Sequence, residues 1–323
     1  MLPAKSVGYI LIIRLGIALE ALAGQTPAVE QPLTFTATAK LVLLDVSVKD
    51  PNGGNISGLE MSNFRIYEDG KLQRITHFAH DDVPVTVGLV LDTSGSMRRK
   101  HQEVATAALV FVRASNRNDE VFVVSFSDSV HFGLPESLPF TDDIGKLKAA
   151  LSRGIPDGRT ALNDAVVVSL SHLEKGKRDK KALVLVSDGG DNNSIHRSQD
   201  VTKIVRESRA TIYTIGIFDA DDPDQNPRVL RRFAQVSGGE AFLGVQLSEV
   251  AGICRRIASD IRARYTIGYV PVQTGEEGSL RKIKVIAAQS GGRKLLVHTR
   301  TSYLLPVGPE APVPATTAIR QVR

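Results

Sequence analysis

Between residues 83 and 262, continuous apolar runs alternate with segments in which apolar residues recur every three or four positions. The runs are Val85 to Leu91, Val121 to Phe126, Ala182 to Val186 and Thr211 to Phe218. Unbroken runs of this length suit parallel strands buried on both faces. Between them, Val104, Ala107, Ala108 and Phe111 share one helical face, and Leu162, Ala165, Val166, Ser169 and Leu173 another. Val201, Ile204 and Val205 form a third stripe, and Val250, Ile253, Cys254, Ile257 and Ile261 a fourth. The alternation predicts an α/β domain over 84–262, a doubly wound and mostly parallel sheet with helices on both faces.

The flanks follow a period of two. Leu41, Leu43, Asp45, Ser47 and Lys49 alternate with Val42, Leu44, Val46 and Val48, and Asp50-Pro-Asn-Gly-Gly54 supplies a turn. Phe64 to Glu68 runs into Asp69-Gly70, a hairpin signal, before Leu72 to Phe78. After Arg264 come Tyr265 to Val270, Arg281 to Ala287 and Lys294 to Thr299, separated by glycine-rich breaks. Two or three strands on each side are too few to be stable alone. Segments 34–80 and 264–305 are therefore expected to pair into one small β domain, with the α/β domain inserted between them.

The ends read differently. Lys5 precedes the mostly apolar stretch Val7 to Leu19, and Ala21-Leu22-Ala23 has the small residues of a cleavage site. Residues 1–24 are thus expected to be a secretory signal, with an uncleaved membrane anchor as the alternative, and 25–33 a linker. The prolines at 306, 309, 312 and 314 interrupt a tail without periodicity, so 306–323 is expected to be disordered. Export implies a periplasmic or extracellular location, or a membrane-anchored one if the leader stays.

Composition narrows the chemistry. The 323 residues carry a single cysteine, which rules out an intrachain disulfide and multi-thiolate zinc or iron–sulfur sites. A formal charge of +5 with 5% aromatics and no Trp offers neither a strong electrostatic footprint nor stacking platforms for nucleic acid. The basic clusters Arg98 to His101 and Lys175 to Lys181 read as solvated surface, and Cys254, on a buried stripe, as a small core residue.

The chemistry lies where the first α/β strand ends, at Asp92-Thr-Ser94-Gly-Ser96. In an open α/β sheet, ligands bind at that edge. Three oxygen side chains from one tight loop suit a hard cation such as Mg²⁺. Thr160, opening the helix that carries Leu162, and Asp188, in the Ser-Asp-Gly turn after the strand Ala182 to Val186, should reach the same edge.

These residues resemble the von Willebrand factor type A domain, the integrin I-domain fold. Its metal-ion-dependent adhesion site combines Asp-x-Ser-x-Ser, a distal Thr and an Asp in a Ser/Thr-Asp-Gly turn. The resemblance implies Asp92, Ser94, Ser96, Thr160 and Asp188 as metal ligands. The three hydroxyls would approach the ion directly and the two acids directly or through water. One departure is Ala161, where relatives often carry Asn. The flanks are similar to bacterial von Willebrand factor A-related proteins, best known from Acidobacteria. They share Asn63 to Gly70, the Tyr-x-x-Gly-Tyr of Tyr265 to Tyr269, and the Arg-x-x-Tyr of Arg300 to Tyr303.

The function that follows is a non-enzymatic, metal-dependent adhesion or scaffold-type module of the bacterial envelope. It would bind an Asp or Glu carboxylate of another protein through Mg²⁺, with Mn²⁺ or Ca²⁺ as substitutes, helped by Arg98, Arg99 and Arg159. A scaffold with a merely stabilising metal is the alternative. A hydrolase built on Ser94 or Ser96 would need a base, and His101 and His196 lie in polar surroundings without a nucleophile-elbow context.

Overall fold

The computed structural model describes residues 41–153, 156–219, 223–271, 276, 278–289 and 295–305. The expected leader, linker and tail lie outside these residues, as do 34–40.

The first β segment contributes β1 (Val42–Lys49), β2 (Phe64–Glu68), β3 (Lys71–Gln73) and β4 (Ile75–Ala79). The central region follows as β5 (Val85–Asp92), α1 (His101–Ala114), β6 (Glu120–Phe126), β7 (Val130–Phe132), α2 (Ile144–Leu151), α3 (Leu162–Leu173), β8 (Lys180–Ser187), α4 (Ser198–Glu207), β9 (Thr211–Gly216), α5 (Pro227–Ser237), β10 (Ala241–Leu243) and α6 (Leu247–Arg262). The chain then returns to strands in β11 (Tyr265–Tyr269), β12 (Leu280–Ala287), β13 (Leu296–His298) and β14 (Ser302–Leu304).

The central strands form one six-stranded sheet in the order β10-β9-β8-β5-β6-β7, parallel throughout except for β7, which turns back antiparallel on β6. Strand β5 sits inside it, paired to β6 and β8, and all eight of its residues are buried. That explains its unbroken apolar run, because helices cover both faces. The four helical stripes pack where the periodicity puts them: Val104, Phe111, Leu162, Val166, Val201, Val205, Ile253 and Ile257 all join the same core. Cys254 is buried among them, and burial pushes its thiol up to about 12, so it is an inert core residue.

The flanking strands build two antiparallel four-stranded sheets, β13-β1-β11-β4 and β14-β12-β2-β3. Each mixes strands from before and after the α/β region: β1 pairs β11, and β2 pairs β12. Strand β12 alternates exposed and buried along its whole length, and its buried face joins Leu44, Val46, Phe64 and Ile66 in a second core.

The sequence motifs of the flanks meet in this core. Glu68, 1% exposed, accepts hydrogen bonds from Tyr269 Oη at 2.6 Å and Tyr303 Oη at 3.0 Å. Asp69 and Gly70 take positive φ values of 47° and 80°, as a type I′ hairpin requires. The Asp69 carboxylate accepts from Lys282 N and Arg281, which hold it below the usual carboxylate range. Tyr265 Oη accepts from Leu59 N and donates to Ile56 O.

A second buried polar group joins this β region to the α/β region. Asp260 on α6 accepts from Ser47 at 2.5 Å and Tyr213 at 2.6 Å, with Lys49 and Arg264 each at 3.4 Å. Burial alone would raise its carboxyl, but the Arg264 and Lys49 charges and these hydroxyl donors outweigh it and hold the group lowered. Arg264 also donates to the carbonyls of Gly238, Asp45 and His298.

Candidate metal centre

Asp92 is the last residue of β5, and Ser187 the last of the neighbouring parallel strand β8. Parallel pairing therefore delivers both ends, and the loops after them, to one edge of the sheet. The chain after Asp92 turns through a 3₁₀ turn at Gly95–Met97, with Met97 fully buried beneath it. Asp92 shapes this loop by accepting from Ser94 N at 2.9 Å through Oδ1. Its other oxygen accepts from Ser187 Oγ at 2.6 Å.

Asp188 follows directly. Its Oδ1 accepts from Gly190 N at 2.9 Å, and its Oδ2 accepts from Ser96 Oγ at 2.5 Å. Ser94 Oγ and Ser96 Oγ lie 3.2 Å apart. Gly189 takes φ +84°, and a Cβ there would stand 2.3 Å from the Asn226 carbonyl, so only glycine lets the turn close.

The third loop carries Thr160. Gly95 N donates to Gly158 O at 3.1 Å, tying it to the first loop. Thr160 N donates to Asn192 Oδ1 at 2.9 Å, while Thr160 O accepts from Asn192 N and Asn193 N, each at 3.0 Å. The structure thus joins Asp92, Ser94, Ser96 and Asp188 by direct or shared hydrogen bonds, and fixes the backbone of Thr160 against the loops that carry them.

The electrostatics of the cluster are one-sided. Asp92 is 1% exposed and Asp188 2%, and neither has a described basic side chain within ion-pair distance. Desolvation first, and the Asp188 charge second, push the Asp92 carboxyl up to about 6, against its hydrogen bonds from Ser187 and Ser94. Among the described residues, the two buried carboxylates beside these hydroxyls have no compensating basic side chain, and an oxygen-only donor set suits a hard divalent cation. The residues therefore fit the ion that their spacing implies. Among the described residues no three or more His, Cys, Asp or Glu side chains gather as a metal cage, so a cation here would rest on two carboxylates and neutral hydroxyls.

Several supporting residues were not evident from spacing alone. Asp191 accepts from Asn163 N, and Asp164 accepts from Ile195 N, His196 N and His196 Nδ1, fastening the loop after Asp188 to the start of α3. Asp128 accepts from Arg159 N, and its carbonyl accepts from Asn193. Only Ser187 carried a sequence signal, as part of the Ser-Asp-Gly turn. His196 is committed to Asp164, and neither it nor His101 hydrogen-bonds Ser94 or Ser96. Arg98 is engaged by Asp157 at 2.6 Å. Of the acidic loop at 219–224, Asp219 lies 3.6 Å from the buried Lys100, and 220–222 are outside the described residues.

Comparison with known proteins bears on the family and the fold. Residues 87–190 match the family model of the von Willebrand factor type A domain. The inter-alpha-trypsin inhibitor heavy chain H4 of Bos taurus is 24% identical over 203 residues, 58% of this chain and 20% of its own length. An uncharacterized protein of Synechocystis sp. is 26% identical over 143 residues, 42% of this chain and 33% of its own. The chain thus spans only a fifth to a third of these relatives. A solved von Willebrand factor type A structure from Catenulispora acidiphila shares the fold at a TM-score of 0.50 and 15% identity, covering 84% of this chain and 74% of that one. The family match runs from β5 through the Asp92 loop and the Thr160 loop to the Asp188 turn, so this part of the chain is similar to a von Willebrand factor type A domain.

Proposed function

We propose that this protein is an exported, non-catalytic binding module of the bacterial envelope, which holds a divalent cation at the sheet edge and uses it to take an acidic side chain of a partner protein. The observation that carries the reading is the pair of buried carboxylates, Asp92 and Asp188, closed around the hydroxyls of Ser94 and Ser96 with no described basic side chain in ion-pair distance. These four side chains, with Thr160, would hold the ion, Mg²⁺ first and Mn²⁺ or Ca²⁺ as substitutes. When bound, the ion supplies an electrophilic position for an Asp or Glu carboxylate. The chain's own residues set the stage: Ser187 and the backbone amides of Ser94 and Gly190 aim the carboxylates, and hydrogen bonds among the three loops hold them against one another. Exposed Arg99 and Arg159 at its rim favour an acidic partner.

In this reading the paired β segments are the mount of the domain. The leader places the module in the periplasm or outside the cell, with anchoring as the alternative. Calorimetric titration with Mg²⁺ and Mn²⁺ tests the site: the wild type should bind, and Asp92→Ala and Asp188→Ala should not. A pull-down from envelope extract tests the function, with partners retained in Mg²⁺ and released in EDTA. Equal metal affinity in both variants, or the same partners with and without EDTA, overturns the proposal.

A further inference from the structure

At the opposite end of the parallel sheet from Asp92, a cleft of about 540 Å³ opens between β1 and the end of α4. Leu41 and Leu43, each almost half exposed, form its apolar wall. Lys203, Arg206, Arg209 and Arg300 form the other, with Glu207 as the one acidic residue among them. None of these four cations lies within ion-pair distance of a described acidic side chain. The Nε of Arg206 is buried without a hydrogen-bond partner, and Arg300 spends one nitrogen on Ser208 O. A further cleft of about 310 Å³ shares Leu43, Arg209 and Arg300, which extends the feature along β1.

The backbone adds an independent observation. Strand β1 pairs β11 over Val42–Val46, but β13 only over Ser47–Lys49. Among the described residues, the first half of β1 therefore has no strand on its β13 side. Val48 O is taken by Ile56 N on the other side, so by alternation Ser47, Asp45 and Leu43 direct their backbone groups toward the β13 side. The Asp45 carbonyl there accepts from Arg264. Among the described residues, no strand pairs with Leu43 on that side, which faces the cleft.

We infer that this cleft binds an extended peptide of alternating acidic and apolar residues, which adds to the open edge of β1 at Leu43 and sets its carboxylates on Lys203, Arg206, Arg209 and Arg300. Each part of the site asks for one feature of that ligand. The edge of β1 supplies main-chain hydrogen bonds, the leucines take one face of the strand, and the four cations, which outnumber Glu207, take the other. The chain's own tail is a poor occupant, because four prolines between 306 and 314 interrupt strand pairing and it carries one acid against two arginines.

The test is fluorescence anisotropy of the full chain, in EDTA, with a labelled, end-blocked hexapeptide alternating glutamate and valine. Saturable binding is expected, weakened about tenfold or more by the double substitution R206Q/R209Q and by Leu43→Glu. Equal binding of a lysine–valine hexapeptide overturns the charge assignment, and equal binding of a glutamate–proline hexapeptide overturns the edge pairing. No binding of any hexapeptide, or displacement showing that dodecanoate alone occupies the cleft, overturns the proposal altogether.

Discussion

Replacing Asp92 by Asn should make the cation-free protein more stable, although it removes a residue from the heart of the candidate site. Asn keeps the shape of the side chain, can accept from Ser94 N, and can donate to Ser187 Oγ in place of the bond it loses. What disappears is a buried charge beside Asp188. A carboxyl raised from 3.8 to about 6 in the folded state corresponds to roughly 3 kcal/mol of native-state cost when ionised. The sign follows from the two protonation limits. Above about pH 6 the group is ionised in both states and the folded protein bears the full cost. Below 3.8 it is protonated in both and the cost is gone. The stability advantage of Asp92→Asn should thus be near roughly 3 kcal/mol at pH 7.5 and shrink as pH falls through 6 toward 4. For an α/β region of this size that is on the order of 10 °C in Tm. Thermal and urea unfolding in EDTA, run on both proteins across this pH range, measure it. Adding Mg²⁺ should stabilise the wild type and leave the variant unmoved. A variant no more stable than wild type at pH 7.5 in EDTA, or an advantage that does not shrink with falling pH, would refute the reasoning that the site is strained by an unmatched charge.

Other substitutions test the framework around the site. Gly189→Ala should abolish cation binding in calorimetry while leaving the far-ultraviolet spectrum unchanged, because the Cβ strikes the Asn226 carbonyl in a left-handed turn. Arg264→Ala should cost about 3–5 kcal/mol in urea unfolding, since it leaves Asp260 buried with its main compensating charge removed. Tyr269→Phe and Tyr303→Phe should each cost roughly 1.5–3 kcal/mol, and more than additively in a double-mutant cycle, because both hydroxyls donate to the same buried Glu68 oxygen and only the double variant leaves it without either. Limited proteolysis should not release 34–80 and 264–305 as separate pieces, given that β1 and β2 pair with β11 and β12.

Much of this protein was legible in its sequence, and the parts that were share a reason. The α/β region could be read because a strand buried on both faces needs a continuous apolar run and a covering helix needs a stripe; β5 and α1 show both. The Asp92, Thr160 and Asp188 loops could be read because each is a short local pattern at a strand end or helix start, and parallel pairing brings such ends together. Short elements escaped. Strands β7 and β10, of three residues each, are too brief to show a period, and β9 ends at Gly216, two residues before its apolar run does. What only the tertiary structure decided was pairing across long separations. Glu68 meets Tyr269 and Tyr303 across 201 and 235 residues, and Ser47 meets Asp260 across 213. No local periodicity specifies such contacts, since a buried hydroxyl or carboxylate has no preferred partner until packing excludes water and leaves one within reach. The unmatched charge at Asp92 and the open edge at Leu43 belong to the same class. Sequence gives a chain its acids and its strand patterns, but only the fold determines which acids lie together and which strands pair.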